Sequence, residues 1–452
     1  MNILFVRPAP PEETIGLQHV MIVEPLELEI LATLVEPNHK VTIVDLILEK
    51  ETAAFFIQKY NPDIMCVTGY ITHVDKMIEV CDEAKKYNPK IVTVVGGVYI
   101  EKVPEAIDNK AVDYRVVRNA VHTFPQLVDY LNGTASFPNG VLRLNEELNE
   151  AILPEYDFSV PIPNRELTQK YRAKYFYVFH NKVALLKTSF GCPFPCAFCF
   201  CRKITGDNYS ERPLEDVIQE LLSIKEKEVY IIDDNFLVSK ERVLAFISLL
   251  KKHKIKKKYL IYGRADFIAS NPEIIKEFKQ YGLRTIIVGF ESFNDDELQS
   301  LNKSTVASIN EKAMEVLNSN GVDCYASVIA MPNWDKADFE RATKKMIDLK
   351  IRFLNIQPLT PLEKTDMMFD EKDLVISRND FAKWDLAHVV VKPEKLTVQE
   401  FYYEIVRMYI RVLFRPSNLI HHLKYPISMQ LKLMSGAYKV KKQYEKKIFD
   451  SK

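Results

Sequence analysis

Three cysteines fall within one short run, Gly191-Cys192-Pro193-Phe194-Pro195-Cys196-Ala197-Phe198-Cys199. Thiolates at this spacing can each take one iron of a cubane cluster from a single tight loop, leaving the fourth iron open for an exogenous ligand. Cys201 follows closely, and with it a four-thiolate zinc knuckle is the competing reading. Cys66, Cys81 and Cys324 sit in apolar runs and read as core residues. An odd total of seven cysteines, four of them crowded between Cys192 and Cys201, suits a metal site in a reducing compartment better than a disulfide framework. Further along, three charged groups each follow an apolar run: Asp233-Asp234-Asn235-Phe236, Arg264 within Tyr262-Gly263-Arg264-Ala265-Asp266, and Glu291 within Gly289-Phe290-Glu291-Ser292. Adjacent carboxylates can accept charge-assisted hydrogen bonds from an ammonium. Asn235 reads equally well as a helix N-cap, and Arg264 as an exposed surface arginine.

The elements that must position these groups come in two alternations. From Met1 to about Leu131, apolar runs at Ile3 to Val6, Val41 to Val44, Ile64 to Thr68, Ile91 to Val95 and Tyr114 to Val117 alternate with amphipathic stretches. That pattern predicts a doubly wound, Rossmann-like parallel sheet with its ligand crevice at the carboxyl ends of the strands. Arg7 to Pro11, Gly69 to His73, Gly96 to Tyr99 and Arg118 to His122 fall there. Prolines weaken the pattern across 133–180, which reads as a linker or wrapping segment. A second alternation runs from Val183, with apolar runs at Val183 to Leu186, Val229 to Ile232, Tyr259 to Tyr262, Thr285 to Val288, Tyr325 to Ile329 and Phe353 to Ile356. Six strand-helix units predict a partial (β/α)6 barrel over 181–365, with chemistry on the loops after the strands. The α/β chain is thus divided into a first domain at 1–132, the linker, the barrel, and a mainly helical C-terminal region at 366–452.

The cysteine loop, with an aromatic just before its third cysteine and placed after the first barrel strand, resembles the defining loop of the radical S-adenosylmethionine (SAM) superfamily. The resemblance implies a 4Fe-4S cluster on Cys192, Cys196 and Cys199 whose open iron chelates SAM. It implies SAM contacts from Phe198, from Asp233 and Asp234 near the amino group, from Arg264 near the carboxylate, and from Glu291 and Ser292 near the ribose. Ala330-Met331-Pro332 replaces the family's Gly-x-Pro turn. Cys201 has no role in this reading.

A doubly wound domain ahead of such a barrel, with Gly96-Gly97 after the fourth strand, is similar to the cobalamin-binding class of that superfamily over roughly residues 1 to 365. Thr72, His73, Gly96, Gly97 and Val98 are the implied cobalamin contacts. Paired glycines let a bulky flat ligand approach the backbone. There is no Asp-x-His-x-x-Gly to supply a cobalt-ligating histidine, and by residue type His73 reads as a solvated loop histidine. Arg118-Asn119-Ala120-Val121-His122 stands where similar proteins carry an acidic turn.

The resemblance implies reductive cleavage of SAM to a 5'-deoxyadenosyl radical that takes hydrogen from an unactivated carbon of a small molecule, with cobalamin as methyl carrier. A flavodoxin or ferredoxin is the implied electron donor. Cyclisation, ring contraction or oxidation without methyl transfer is the second enzymatic reading, and a zinc-stabilised ligand-binding protein is the reading of another class. Two cysteines in the first domain are too few for a second cluster, which argues against a methylthiolating enzyme. Lys+Arg and Asp+Glu both number 61, so no global charge excess points to nucleic acid. The absence of a signal peptide or spanning segment predicts a cytoplasmic protein. In the tail, Trp384, Asp385 and His388 read as one wall of the site, and Phe401, Tyr402, Tyr403 and Tyr409 as a helix packing face. Pro416 and Pro426 are expected to break the mixed basic and apolar stretch after Arg411, leaving a solvated face and no membrane contact.

Overall fold

A computed structural model describes residues 1–450. The chain opens with β1 (Asn2–Arg7), β2 (Met21–Ile22), α1 (Leu26–Val35), β3 (Lys40–Asp45), α2 (Ala53–Tyr60), β4 (Ile64–Thr68), α3 (Val74–Tyr87), β5 (Val92–Gly96), β6 (Tyr114–Val116), α4 (Ala120–Leu131) and β7 (Val141–Arg143). Six of these strands form one sheet in the order β3-β1-β4-β5-β6-β7. Parallel strands covered on both faces read as continuous apolar runs, and β1 shows why. Its Leu4 and Val6 enter the core under α2 and α3, while Ile3 and Phe5 enter the core under α1 and α4. The strand β7 lies inside the 133–180 segment and pairs antiparallel with β6, so part of that stretch is an edge of the first sheet. The same segment supplies β8 (Phe176–Tyr177) and β9 (His180–Asn181), and β8 pairs antiparallel with β2. It wraps the first domain and sews it to the second unit.

That second unit runs β10 (Val183–Leu186), β11 (Ser189–Phe190), α5 (Cys201–Ile204), β12 (Ser210–Glu211), α6 (Leu214–Ser223), β13 (Glu228–Ile231), α7 (Lys240–Lys252), β14 (Lys258–Gly263), α8 (Ala265–Ser270), α9 (Pro272–Gln280), β15 (Leu283–Glu291), α10 (Asp295–Ser300), α11 (Ala307–Asn320), β16 (Asp323–Ala330), α12 (Lys336–Asp348) and β17 (Phe353–Pro358). Its main sheet is parallel throughout and in chain order, β10-β13-β14-β15-β16-β17, the partial barrel that the apolar periodicity predicts. A large apolar core lies between sheet and helices. Tyr177, Leu185, Tyr230, Leu260 and Ile287 pack on the inner side together with Leu26 of the first domain.

The remaining helices are α13 (Val398–Leu413), α14 (Pro416–His422) and α15 (Ile427–Asp450). Thr397 and Glu400 form a capping box that starts α13. Phe401 and Tyr402 pack inward as expected, whereas Tyr403 faces solvent. As expected, the helical stretch is interrupted at both prolines, α13 ending at Leu413 and α14 at His422. Pro416 occupies the first turn of α14 and Pro426 directly precedes α15, positions where a missing N–H costs nothing.

The turn between α14 and α15 closes the barrel at the strand starts. Tyr425 stacks on Phe179 with centroids 3.8 Å apart, and the packing leaves a cavity of about 10 Å³, the room of one water. Asp323 anchors the turn, accepting from His421 Nε2 at 3.0 Å, Lys424 Nζ at 2.8 Å and Tyr425 Oη at 2.7 Å. These donors hold its carboxyl well below the usual carboxylate range despite burial. A carboxylate depressed in this way stabilises the fold above its unfolded pKa of about 4, and that contribution fades as pH falls. Asp323→Asn is therefore expected to cost about 2–3 kcal/mol at pH 7. In urea unfolding, the gap to the parent protein should narrow below about pH 4.

The far end of the chain also grips the beginning. Gly436 of α15 lies so near the turn Leu17–His19 that a Cβ there would stand 2.1 Å from the His19 carbonyl oxygen. Gln443 bonds both Gly16 N and the Thr14 carbonyl, each at 3.1 Å. Asp385 accepts from Ile15 N at 2.7 Å and from His388 Nδ1 at 2.8 Å, and Trp384 packs with Val390 and Val391. Asp385 and Gln443 thus brace the 14–16 loop, and Trp384 belongs to a small core that Ile71 of the first domain joins.

Candidate active site

The cysteine loop leaves β11 at Gly191, whose φ of +75° and whose approach to the Asn208 carbonyl leave no room for a Cβ. Backbone bonds then fix its course. Cys199 N donates to the Cys196 carbonyl, Ala197 N to the Leu301 carbonyl, and Asn302 Nδ2 to the Pro195 carbonyl at 2.6 Å. Cys196 is buried, and Cys192 and Cys199 are partly accessible. Burial pushes the Cys192 thiol up to about 11, whereas the Cys201 thiol, bonded to Cys199, draws the latter down to about 7. Among the described residues, no three His, Cys, Asp or Glu side chains converge on a single metal ion. Thiolates that each bind a different iron of a cubane have no need to converge on one point, unlike the ligands of one zinc.

Two cations flank the loop. The Arg264 guanidinium stacks 3.8 Å over Phe194, places Nη1 3.7 Å from Cys196 Sγ and pairs with Asp266 at 2.8 Å. It is buried, not an exposed surface arginine, and it braces the loop. Lys303 is buried beside Phe198, its Nζ 5.7 Å from the ring centroid and 2.9 Å from Glu291 Oε1. The geometry suits the pair: Glu291 has a φ of +62° at a bulge in β15, and a Cβ on Gly289 would stand 2.3 Å from Glu291 Oε1. Sequence reasoning gave Lys303 no role, because its only signal is its position soon after Gly-x-Glu-Ser. Two cations beside the thiols are the donor set that offsets the negative charge of a thiolate-held cluster, so the residues present fit that group.

The adjacent aspartates have separate tasks. Asp233 is buried and accepts from Thr188 N at 2.6 Å, from Thr188 Oγ1 and from Ser189 Oγ at 2.8 Å. Both its oxygens are committed to the β10–β11 corner, which corrects the expectation that it meets an ammonium. Asp234 is more accessible, accepts from Gly191 N at 3.0 Å and stands 3.6 Å from Lys187 Nζ. Ser292 is buried and donates to Glu297 while accepting from Asn294 N, which makes it part of the turn into α10.

At the crevice of the first domain, His73 is buried, and its Nδ1 lies 3.0 Å from Thr72 Oγ1. Burial beside Arg7 pushes its pKa down to about 4, so it is neutral at pH 7 and is not the solvated histidine that its loop position suggested. Gly97 has a φ of +129°, and a Cβ there would stand 2.6 Å from the Gly69 carbonyl. The ends of β4 and β5 press together at this point, while Gly96 and Val98 remain partly accessible.

Tyr70 defines the space between the domains. Its side chain is 66% exposed, yet its hydroxyl lies in the field of Glu27 and Arg7 on one side and of Tyr262 and Cys201 on the other, and burial pushes it up to about 12. The loop after β4 thus meets the segment that follows the cysteine loop, and Phe200 of that segment packs against the core of the first domain. The strand ends of the first domain and the cluster loop therefore face the same region, the usual place for a ligand of an open α/β sheet.

Known proteins match this arrangement part by part. The family model for the B12 binding domain matches residues 14–128, and that for the radical SAM superfamily matches residues 186–346. The hopanoid C-3 methylase of Methylococcus capsulatus is 27% identical over 90% of this chain and 79% of its own length. The anaerobic magnesium-protoporphyrin IX monomethyl ester cyclase of Rubrivivax gelatinosus is 26% identical over 87% and 74%. In fold, the chain is similar to the radical SAM methyltransferase TsrM from Kitasatospora setae, solved with cobalamin and a 4Fe-4S cluster, with a TM-score of 0.62 and 15% identity over 81% of this chain and 76% of that one. No described helix is long and apolar enough to cross a membrane. With both models matched in succession along one chain, the chain belongs to the cobalamin-binding class of the radical SAM superfamily.

Proposed function

We propose that this enzyme transfers a methyl group to an unactivated carbon of a small molecule, holding a 4Fe-4S cluster on Cys192, Cys196 and Cys199 and cobalamin between its domains. What supports this reading is the three-cysteine loop set beside a domain that matches the B12-binding model, with Phe200 after the loop packed against that domain's core. When bound, the cluster supplies the electron that cleaves SAM, and cobalamin supplies a methyl carrier. The chain's own residues bind and orient. Asp234, partly accessible beside Gly191, faces the SAM ammonium. Glu291, held by Lys303, and Phe198 line the nucleoside side. Arg264 braces the loop and would stand near the SAM carboxylate. Gly96, Gly97, Val98, Thr72 and His73 would form the floor for cobalamin, and Tyr70 and Tyr262 would help to exclude bulk water. A flavodoxin or ferredoxin provides the electron.

The test is anaerobic reconstitution with iron, sulfide and cobalamin, followed by turnover with SAM carrying a deuterated methyl group. The reading requires 5'-deoxyadenosine and S-adenosylhomocysteine together, and label in the product. The cyclase relative keeps the second reading in play. 5'-Deoxyadenosine without S-adenosylhomocysteine, with a product that gains no carbon, establishes that one instead.

A further inference from the structure

The C-terminal helices carry an apolar surface that the catalytic reading does not use. On α15, Ile427, Leu431, Met434 and Tyr438 are 60–75% exposed. Their spacing places them in one stripe over three turns, opposite the face by which Met429, Gly436 and Tyr444 pack on the protein. Leu419, Ile420 and Leu423 of the preceding α14 and its turn are half or more exposed as well. Single exposed apolar residues are ordinary, but a contiguous stripe of this length on a water-soluble surface marks an interaction site.

Charge identifies the occupant. The chain as a whole is neutral, yet from Arg411 to Lys447 nine lysines and arginines face one carboxylate, Glu445. Four of these cations are tied down: Arg411 pairs with Glu340, Lys424 with Asp323, Arg415 donates to the Ile347 and Ile351 carbonyls, and Lys432 sits over the Phe176 ring. Lys441 and Lys442 share Glu445. Lys439 and Lys446 stand one helical step to the side of the stripe, exposed and without a carboxylate partner among the described residues. A second copy of the chain docked symmetrically on this stripe would bring two lysine rows together, which is unfavourable. Nucleic acid would satisfy the lysines and leave the leucines and isoleucines in water. A helix with an apolar stripe bordered by lysines fits the boundary of an anionic lipid bilayer, with the stripe among the acyl chains and the ammonium groups at the headgroups.

We propose that α14 and the first half of α15 dock this enzyme on the surface of anionic membranes. This inference rests on the helices alone and stands whatever the reaction. The test is co-sedimentation of the full chain with vesicles of phosphatidylcholine, with or without about one-third phosphatidylglycerol. Binding to the anionic vesicles is expected to exceed binding to neutral ones by at least about tenfold and to weaken with salt. Leu431→Asp combined with Met434→Asp, both at exposed positions, should abolish it, and Lys439→Glu with Lys446→Glu should lower it by about tenfold. Equal partition with the two vesicle types, or undiminished binding by the aspartate variant, overturns the proposal. So does sedimentation velocity showing a dimer that the aspartate variant converts to monomer, since a second copy then covers the stripe.

Discussion

Replacing Cys196 with alanine is expected to strip the reconstituted protein of iron and acid-labile sulfide and to lower 5'-deoxyadenosine formation by more than roughly a thousandfold, because the cofactor that carries the difficult step is lost. Cys201→Ala is expected to keep both within about threefold, since that residue contributes one weak thiol hydrogen bond to Cys199. The contrast matters because the two residues lie close in sequence and only one belongs to the three-ligand set. Cys196 lies deepest in the loop, beside the Arg264 guanidinium, on a backbone fixed by Leu301 and Asn302. Its loss therefore removes a ligand without collapsing the scaffold. Metal analysis after reconstitution reads the outcome directly. If Cys201→Ala lost its metal as completely as Cys196→Ala, four thiolates would be holding the site, and the zinc reading would replace the one proposed here.

The largest effect on stability is expected at Arg172. Its guanidinium reaches Glu24, Glu29 and Glu226, with Glu24 and Glu29 fully buried, and Glu24 also accepts from Leu185 N of the first barrel strand. Arg165 continues the network to Glu220, which pairs in turn with Arg212. The network thus spans the first domain, the wrapping segment and the barrel. Glu29 shows how much burial weighs here, its carboxyl raised to about 7 although it accepts from Thr168 and faces Arg165. Arg172→Met leaves Glu24 and Glu29 buried with only the more distant Arg165 to balance them, a change that costs about 3–5 kcal/mol. The urea midpoint should fall accordingly. Glu24→Gln added to Arg172→Met should restore part of the loss, because the pair and not the volume of the side chain is at stake. A surface role for Arg172 would instead leave the midpoint within about 0.5 kcal/mol of the parent.

The sequence revealed the long strands because buried parallel strands are written as runs of β-branched residues, as in Ile3 to Val6 and Val183 to Leu186. It hid β2, β7, β8 and β9, which have only two or three residues each and so carry no period to detect. Pro416 and Pro426 marked the breaks between the last three helices, since a proline that starts one helix also ends the one before it. At the site, the cysteine loop was legible because its candidate ligands are consecutive in the chain. The division of labour between Asp233 and Asp234 was not, because it depends on which carboxylate turns toward Thr188 and Ser189. The role of Lys303 was missed because its partner Glu291 is twelve positions away, across a bulge and a helix. His73 was taken for solvated because its burial places it beside Arg7 of β1, a contact between distant parts of the chain that local composition does not encode.

The grip of the carboxy-terminal region on residues 14–16 bears on how the enzyme matures. The loop after β1 takes its hydrogen bonds from residues 368 to 429 positions further along the chain. During synthesis the first sheet can form early, as domains generally fold in the order in which they emerge. The rim of its crevice stays unsupported until α15 has left the ribosome. Cofactor capture is therefore expected to wait for α15, and a product that stops before it has an intact first sheet but lacks the contacts that hold the rim.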